Sequence, residues 1–184
     1  PLYFSLANLA SVIAFYKFLK GENYANWEPI RESLRDDSFN KKRNFYEESL
    51  ADCDTIIKRL NEIRIGKNVI KNTPKVTVVI PAYNITPFIS ETLNSVLEQT
   101  FQNYEIILVN DGSPDTEEFE IAIEPYLDKI IYVKQPNSGA SLARNAGICL
   151  ARGELIAFLD GDDIWFPVYL EAQIAYLEQN RLDM

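Results

Sequence analysis

Residues 109–115 read VNDGSPD and residues 158–163 read FLDGDD. Each ends an apolar run and turns abruptly into aspartates around a glycine. The run before the first, YEIILVN (104–110), and the run before the second, ELIAFLD (154–160), have the length and β-branched content of buried strands. Two more runs of this kind are KVTVVI (75–80), closed by Pro81, and IIYVKQ (130–135). Between and after the four lie segments with helical spacing: TPFISETLNSVLEQT (86–100), DTEEFEIAIEPYL (115–127), GASLARNAGICLARG (139–153) and PVYLEAQIAYLEQN (167–180). Thr86 is placed to cap the first of these, with Pro87 in its first turn. The acidic start of the second suits the positive end of a helix. Gly139 permits a tight entry to the third helix, and Gly153 is placed to stop it.

Strictly alternating strands and helices, with near-continuous apolar strands, predict a parallel sheet covered on both faces. The expected fold class is α/β, a Rossmann-like, doubly wound, mostly parallel sheet preceded by an α-helical N-terminal segment. Ligands of such sheets bind beyond the carboxyl ends of the strands, where strand order reverses. PAYN (81–84), NDGSPD (110–115) and DGDD (160–163) all fall at that edge. An Asp-Gly pair alone is an ordinary turn former. Three carboxylates within four residues at a strand end, as in DGDD, repel one another unless a positive group is present. A divalent cation with oxygen ligands, Mg²⁺ or Mn²⁺, answers that need.

Composition narrows the choice of function. The chain has 184 residues, is 47% hydrophobic and carries a net charge of −9. That charge argues against a nucleic-acid partner held through phosphates. There is no histidine, which removes histidine general bases, serine triads and histidine metal sites. Cys53 and Cys149 show no metal-ligand spacing and are expected to be reduced. A dinucleotide-binding oxidoreductase is disfavoured, because PAYNITP follows the first strand where a G-x-G-x-x-G turn is needed.

The pattern changes near residue 72, so two parts are expected: a helical appendage at 1–71 and an α/β domain at 72–184. In the first, Leu2, Leu6, Leu9, Ile13 and Tyr16 share one helical face. Ser5, Asn8, Ser11 and Lys17 interrupt residues 1–20 and make a clean membrane span unexpected. Residues 38–68 read as one helix, with Phe45, Leu50, Cys53, Ile57 and Leu60 close to helical spacing. A protein partner or a membrane surface stays open for this part, and the expected location is cytoplasmic or membrane-associated.

Three stretches together, VTVVIPAYN (76–84), SETLNSVLEQTFQNYEIILVNDGSPD (90–115) and NSGASLARNAGICLARGELIAFLDGDD (137–163), resemble the donor-binding half of family 2, GT-A-type glycosyltransferases. The resemblance spans residues 75 to about 181. It implies that Pro81, Ala82 and Tyr83 line a base pocket, with Tyr83 on the nucleobase. Asp111 would accept a hydrogen bond from the base, commonly uracil, and Arg144 would approach the nucleotide. Asp160 and Asp162 would form the DxD motif, the first at the ribose or the metal's water shell and the second on the metal. The implied partners are a nucleotide-diphospho-sugar donor and a saccharide, lipid or protein acceptor, with Mn²⁺ or Mg²⁺ as cofactor. In this family an Asp or Glu general base lies beyond the DxD strand, so it is expected past Met184, and the chain is expected to be the donor half of a longer inverting enzyme. A non-catalytic nucleotide-sugar-binding or interaction module is the alternative.

Overall fold

The computed structural model describes residues 53–69 and 73–179. The helices expected within 1–52, and residue 180 of the last expected helix, lie outside the described residues. By internal contacts the chain divides into Pro1–Lys58 and Arg59–Met184. In the first unit the described element is helix α1 (Cys53–Lys58), with Asp54 in its first turn and Lys58 in its last. That charge order complements the helix dipole. Ile56 is buried and Ile57 is the more exposed of the two, so within this helix the inward position is 56 rather than the expected 57.

The second unit opens with a difference from the sequence reading. The helix expected over 38–68 does not continue through it. Glu62–Ile65 is instead strand β1. It pairs antiparallel with strand β4 (Ile131–Gln135), Ile63 opposite Val133. EIRI alternates apolar and charged residues, but Ile63 and Ile65 are the exposed ones and Glu62 and Arg64 are partly buried. It is therefore the ladder to β4, rather than an inward apolar face, that makes this stretch a strand.

The other strands are β2 (Val76–Ala82), β3 (Tyr104–Asp111) and β5 (Leu155–Phe158). The five-stranded sheet has the order β1-β4-β3-β2-β5, and all pairs except β1–β4 are parallel. Val79 of β2 sits opposite Ile107 of β3 and Phe158 of β5. All eight residues of β3 are buried, as expected of a central parallel strand covered on both faces. Strand β5 is only half-buried because it borders the sheet. From β2 the chain proceeds through β3 to β4 on one side, and then crosses to place β5 on the other. The strand order therefore reverses at β2, and its carboxyl end is the switch point.

The crossover helices are α2 (Thr86–Leu97), α3 (Thr116–Ile123) and α4 (Ala140–Leu150), and α5 (Tyr169–Gln179) follows β5. Helix α2 buries Ile89, Leu93 and Val96, spaced as one face of a helix. Helix α3 gives way to a 3₁₀ turn at Glu124–Tyr126. Pro125, which has no N–H to donate, accounts for that tightening of the stretch expected as one helix. Helix α4 buries Ala143, Ala146 and Gly147. A Cβ on Gly147 would lie 2.3 Å from Val79 Cγ1, so these small residues let α4 lie close on the sheet. The helix ends at Leu150, before Gly153.

At the amino edge of the sheet, the wholly buried Glu105 side chain accepts hydrogen bonds from Thr77 Oγ1 (2.8 Å) and from Arg152 N (2.8 Å), Nε (2.8 Å) and Nη2 (2.6 Å). This fastens the end of α4 to β2 and β3 at the edge opposite the switch point. Neither Cys53 nor Cys149 is a free thiol, which corrects the expectation of reduced cysteines. Among the described residues, no helix is long and apolar enough to cross a membrane.

Candidate functional site

A pocket of about 440 Å³ opens at the carboxyl edge of the sheet, within the size range of small-molecule sites. Four segments build it. Pro81, Ala82, Tyr83 and Ile85 come from the end of β2 and the turn after it, and Asp111 from the end of β3. Asn137, Gly139, Ala140, Ala143 and Arg144 come from the β4–α4 turn and the first turns of α4. Asp160, Gly161 and Asp162 follow β5. All seven residues singled out from sequence as site candidates therefore share one cavity.

The turn after β2 is held by the loop after β3. Asn84 adopts φ 55°, a left-handed conformation that asparagine tolerates better than most residues. Its N–H donates to Ser113 Oγ at 2.7 Å. Ser113 Oγ in turn donates to Asp115 Oδ1. The other oxygen, Asp115 Oδ2, accepts from Thr86 Oγ1 (2.5 Å) and Thr86 N (3.3 Å). Thr86 is thus the first helical residue of α2 rather than its cap, because Ile85 holds the capping position without a side-chain bond. Asp115 supplies the acceptor from another loop. Burial works to raise the Asp115 pKa, but the bonds from Ser113 and Thr86 outweigh it and hold the carboxyl below its ordinary value.

Asp111 is 3% exposed. Its Oδ1 accepts from Gln135 Nε2 (2.7 Å) and Ser138 N (2.9 Å), and its Oδ2 from Gly139 N (2.8 Å). It therefore shapes the β4–α4 turn as well as lining the pocket. A carboxylate has about four acceptor positions, so one remains for a ligand N–H. Gly112 takes φ 62°, and a Cβ there would lie 2.5 Å from Asn137 N, so a side chain would push this turn away. Gly139 has φ 89° with open space around it. It gives the abrupt entry to α4 that its place in the sequence implied.

The DGDD segment is stapled to α2. Thr92 Oγ1 donates to Gly161 O at 2.8 Å, Gln99 Nε2 donates to Phe166 O at 2.8 Å, and Trp165 N donates to Ser95 Oγ at 3.2 Å. Thr92, Ser95 and Gln99 recur at helical spacing and are all buried. They do not touch the pocket, but they set where Asp160 and Asp162 stand. A Cβ on Gly161 would lie 2.2 Å from the tip of the Ile85 side chain and 3.1 Å from Pro81 O, so this loop packs closely against the turn after β2.

The carboxylates of the loop lie close enough to feel one another. Burial, then the charges of Asp160 and Asp162, push the Asp163 carboxyl above its ordinary value. Asp160 forms an ion pair with Arg144 Nη2 across the pocket. Among the described residues, no cluster of three or more carboxylate, thiolate or imidazole groups could hold a metal by itself. The groups present still fit one kind of cation. Asp160 and Asp162 offer hard oxygen ligands, and a guanidinium already stands where positive charge is required. This suits an ion such as Mg²⁺ or Mn²⁺ that is held by one or two carboxylates, water and substrate phosphates.

Sequence reasoning did not single out Ile85, Asn137, Ala140, Ala143 and Gly161 as lining residues. Polar residues at 92 and 95 on the otherwise apolar face of α2, and at 99 just past its end, were the available signal for the staples.

Residues 77–184 match the family model described as glycosyl transferase family 2. Over 114 residues the chain is 46% identical to the uncharacterized glycosyltransferase EpsJ of Bacillus subtilis (strain 168), covering 60% of this chain and 33% of that protein. The chain thus spans about a third of that relative's length. The structure resembles S. aureus TarS 1–349 in its UDP complex, with TM-score 0.50 and 32% identity over 57% of this chain and 32% of that one. For the UDP-GlcNAc complex the values are 0.51 and 27%, over 57% and 31%. It also shares its fold with the mannosyltransferase PcManGT from Pyrobaculum calidifontis, solved with GDP-Man and Mn²⁺. That likeness has TM-score 0.52 and 22% identity over 76% of this chain and 43% of the other. The mostly parallel five-stranded sheet with flanking helices is the GT-A type of these neighbours.

Proposed function

The chain belongs to glycosyl transferase family 2, and on that footing we propose that its pocket binds a nucleotide-diphospho-sugar together with a divalent cation. In this reading the protein transfers the sugar to an acceptor hydroxyl with inversion, and these residues supply donor binding. The observation that carries it is the convergence of Pro81, Ala82, Tyr83, Asp111, Arg144, Asp160 and Asp162 on one cavity at the switch point of the sheet.

Each residue has a physical part. Tyr83 is half exposed beside the pocket and offers a ring face for a base to stack on. Pro81 and Ala82 give that end of the cavity an apolar wall. The remaining acceptor position of Asp111 meets a base N–H. Uridine is the proposed base, since TarS was solved with UDP and UDP-GlcNAc. Arg144 pairs with the phosphates, for which its planar fork is suited. Asp160 faces the ribose or the cation's water shell, and Asp162 ligates Mn²⁺ or Mg²⁺. The bound cation would supply Lewis-acid help to the departing nucleoside diphosphate. None of the described residues is assigned as the general base that inverting transfer needs.

Calorimetric titration of UDP, with and without Mn²⁺, tests the reading beside an Asp162→Ala variant. The expected result is metal-dependent binding by the parent chain, lost in the variant. Failure of UDP, GDP and dTDP alike to bind a folded chain would sink the donor-site assignment and favour an interaction module.

A further inference from the structure

The geometry points to Arg144 as an internal counter-ion that occupies Asp160 while the donor is absent and yields it to a divalent cation when a nucleoside diphosphate arrives. The inference rests on the functional reading above and adds an order of events: the cation enters with the donor, not before it.

Helix α4 and the turn just after it carry two arginines, Arg144 and Arg152, in opposite situations. Arg152 lies against a carboxylate with no exposure, held through three nitrogens. That pair is built to stay closed, since breaking it would leave a buried charge alone. Arg144 meets Asp160 through Nη2, with side-chain exposures of 31% and 54%. Neither partner is desolvated enough to make separation expensive. Arg144 is also the one cationic side chain among the described residues lining the pocket, facing Asp111, Asp160 and Asp162. Asp111 is already engaged with Gln135, Ser138 and Gly139. The free charge of the cavity therefore rests with the two aspartates of the DxD motif.

A cation approaching an empty pocket meets two obstacles. The guanidinium sits on an Asp160 oxygen, and its charge repels a divalent ion. A diphosphate removes both at once. It offers Arg144 a bidentate partner, which frees Asp160, and it brings phosphate oxygens to complete the cation's shell. Linkage requires the reciprocal effect, so the cation must also strengthen diphosphate binding.

The test is Mn²⁺ titration of the 184-residue chain without nucleotide, following free Mn²⁺ by electron paramagnetic resonance. Arg144→Gln is expected to bind Mn²⁺ about threefold to tenfold tighter than the parent. The same variant should bind UDP about tenfold more weakly, through loss of a charged hydrogen bond. Arg144→Lys keeps the charge and should hold Mn²⁺ near the parent affinity. Lys75→Gln controls for net charge, because Lys75 pairs with Glu154 at the opposite edge of the sheet (2.7 Å), and it should change neither affinity. Arg144→Met keeps the apolar stem and repeats the measurement if Arg144→Gln folds poorly. Unchanged or weaker Mn²⁺ binding in the charge-removing variants overturns the inference, as does an equal gain in Lys75→Gln. If UDP, GDP and dTDP bind neither the parent nor any variant while Mn²⁺ tightens without Arg144, the functional reading falls and of the inference only the hold of Arg144 on Asp160 against a cation stands.

Discussion

Between Asn110 and Asp115 the aspartates find their partners inside the protein, whereas between Asp160 and Asp163 they face one another and a single arginine. Asp111 accepts from Gln135, Ser138 and Gly139, and Asp115 from Ser113 and Thr86. The first loop ties together the turn after β2, the start of α2 and the entry to α4. The second loop is anchored through backbone and leaves Asp160 and Asp162 toward the pocket. Thr92, Ser95 and Gln99 grip Gly161 O, Trp165 N and Phe166 O. Similar compositions thus serve as a frame in one place and as a charged site in the other. Crowded like charges are unfavourable for folding, and the proposed donor site would account for their concentration beyond β5.

The contrast predicts opposite outcomes for loss of a carboxylate in the two loops. The largest effect on stability is expected from Asp111→Ala. It strands the N–H groups of Ser138 and Gly139 and the Gln135 amide, and should cost about 3 kcal/mol. Urea melts measure it directly. A loss under about 1 kcal/mol would mean that the β4–α4 turn does not depend on this carboxylate. Because the same change reshapes the pocket wall, nucleotide binding should weaken along with stability.

A smaller effect is expected at Asp115, and it carries a pH signature. Asp115→Asn alters the acceptor shared by Ser113 and Thr86 and should cost about 1 kcal/mol near neutral pH. The carboxyl has its pKa lowered in the folded state. Its stabilisation is therefore fully present above the ordinary aspartate value of about 3.9 and is lost as pH falls through the folded value. The gap between parent and variant should narrow as urea melts are repeated from neutral pH to about pH 3. A gap of constant size would show that the charge on Asp115 is irrelevant to its hold on α2.

The difference between the loops was only partly legible in the sequence. VTVVI, YEIILVN and IIYVKQ declare themselves as strands because central parallel strands are apolar on both faces. Helices with apolar residues at helical spacing do the same. The crevice followed, since strand alternation alone places PAYN, NDGSPD and DGDD at one edge. EIRI was missed because four residues in a charged run carry little periodicity; their strand identity comes from pairing with β4, some seventy residues away. Asp115 as the acceptor for Thr86 was missed for a related reason, as capping by a residue from a different loop leaves no local pattern. Asp111 was expected only as an acceptor for the nucleobase, as the resemblance implies. The sequence carried no sign that Gln135, Ser138 and Gly139 would converge on it. Asp160 and Asp162 were legible because crowded carboxylates at a strand end are unfavourable wherever they stand.

The smallest stability change is expected where the ligand effect is greatest. Asp162→Asn removes a charge that helps to push the Asp163 carboxyl above its ordinary value, and it breaks no bond that braces the fold. Stability should stay within about 0.5 kcal/mol of the parent, or rise. Mn²⁺-dependent UDP binding should nevertheless fall by about a hundredfold, because an amide oxygen carries no net charge for the cation. Urea melts and calorimetry on one preparation give both quantities. A destabilisation as large as that of Asp111→Ala would place Asp162 in the frame and erase the contrast between the loops. An unchanged fold with lost binding would show that the protein holds its carboxylates apart by purpose, those of the first loop bonded inward and those of the second kept for a ligand.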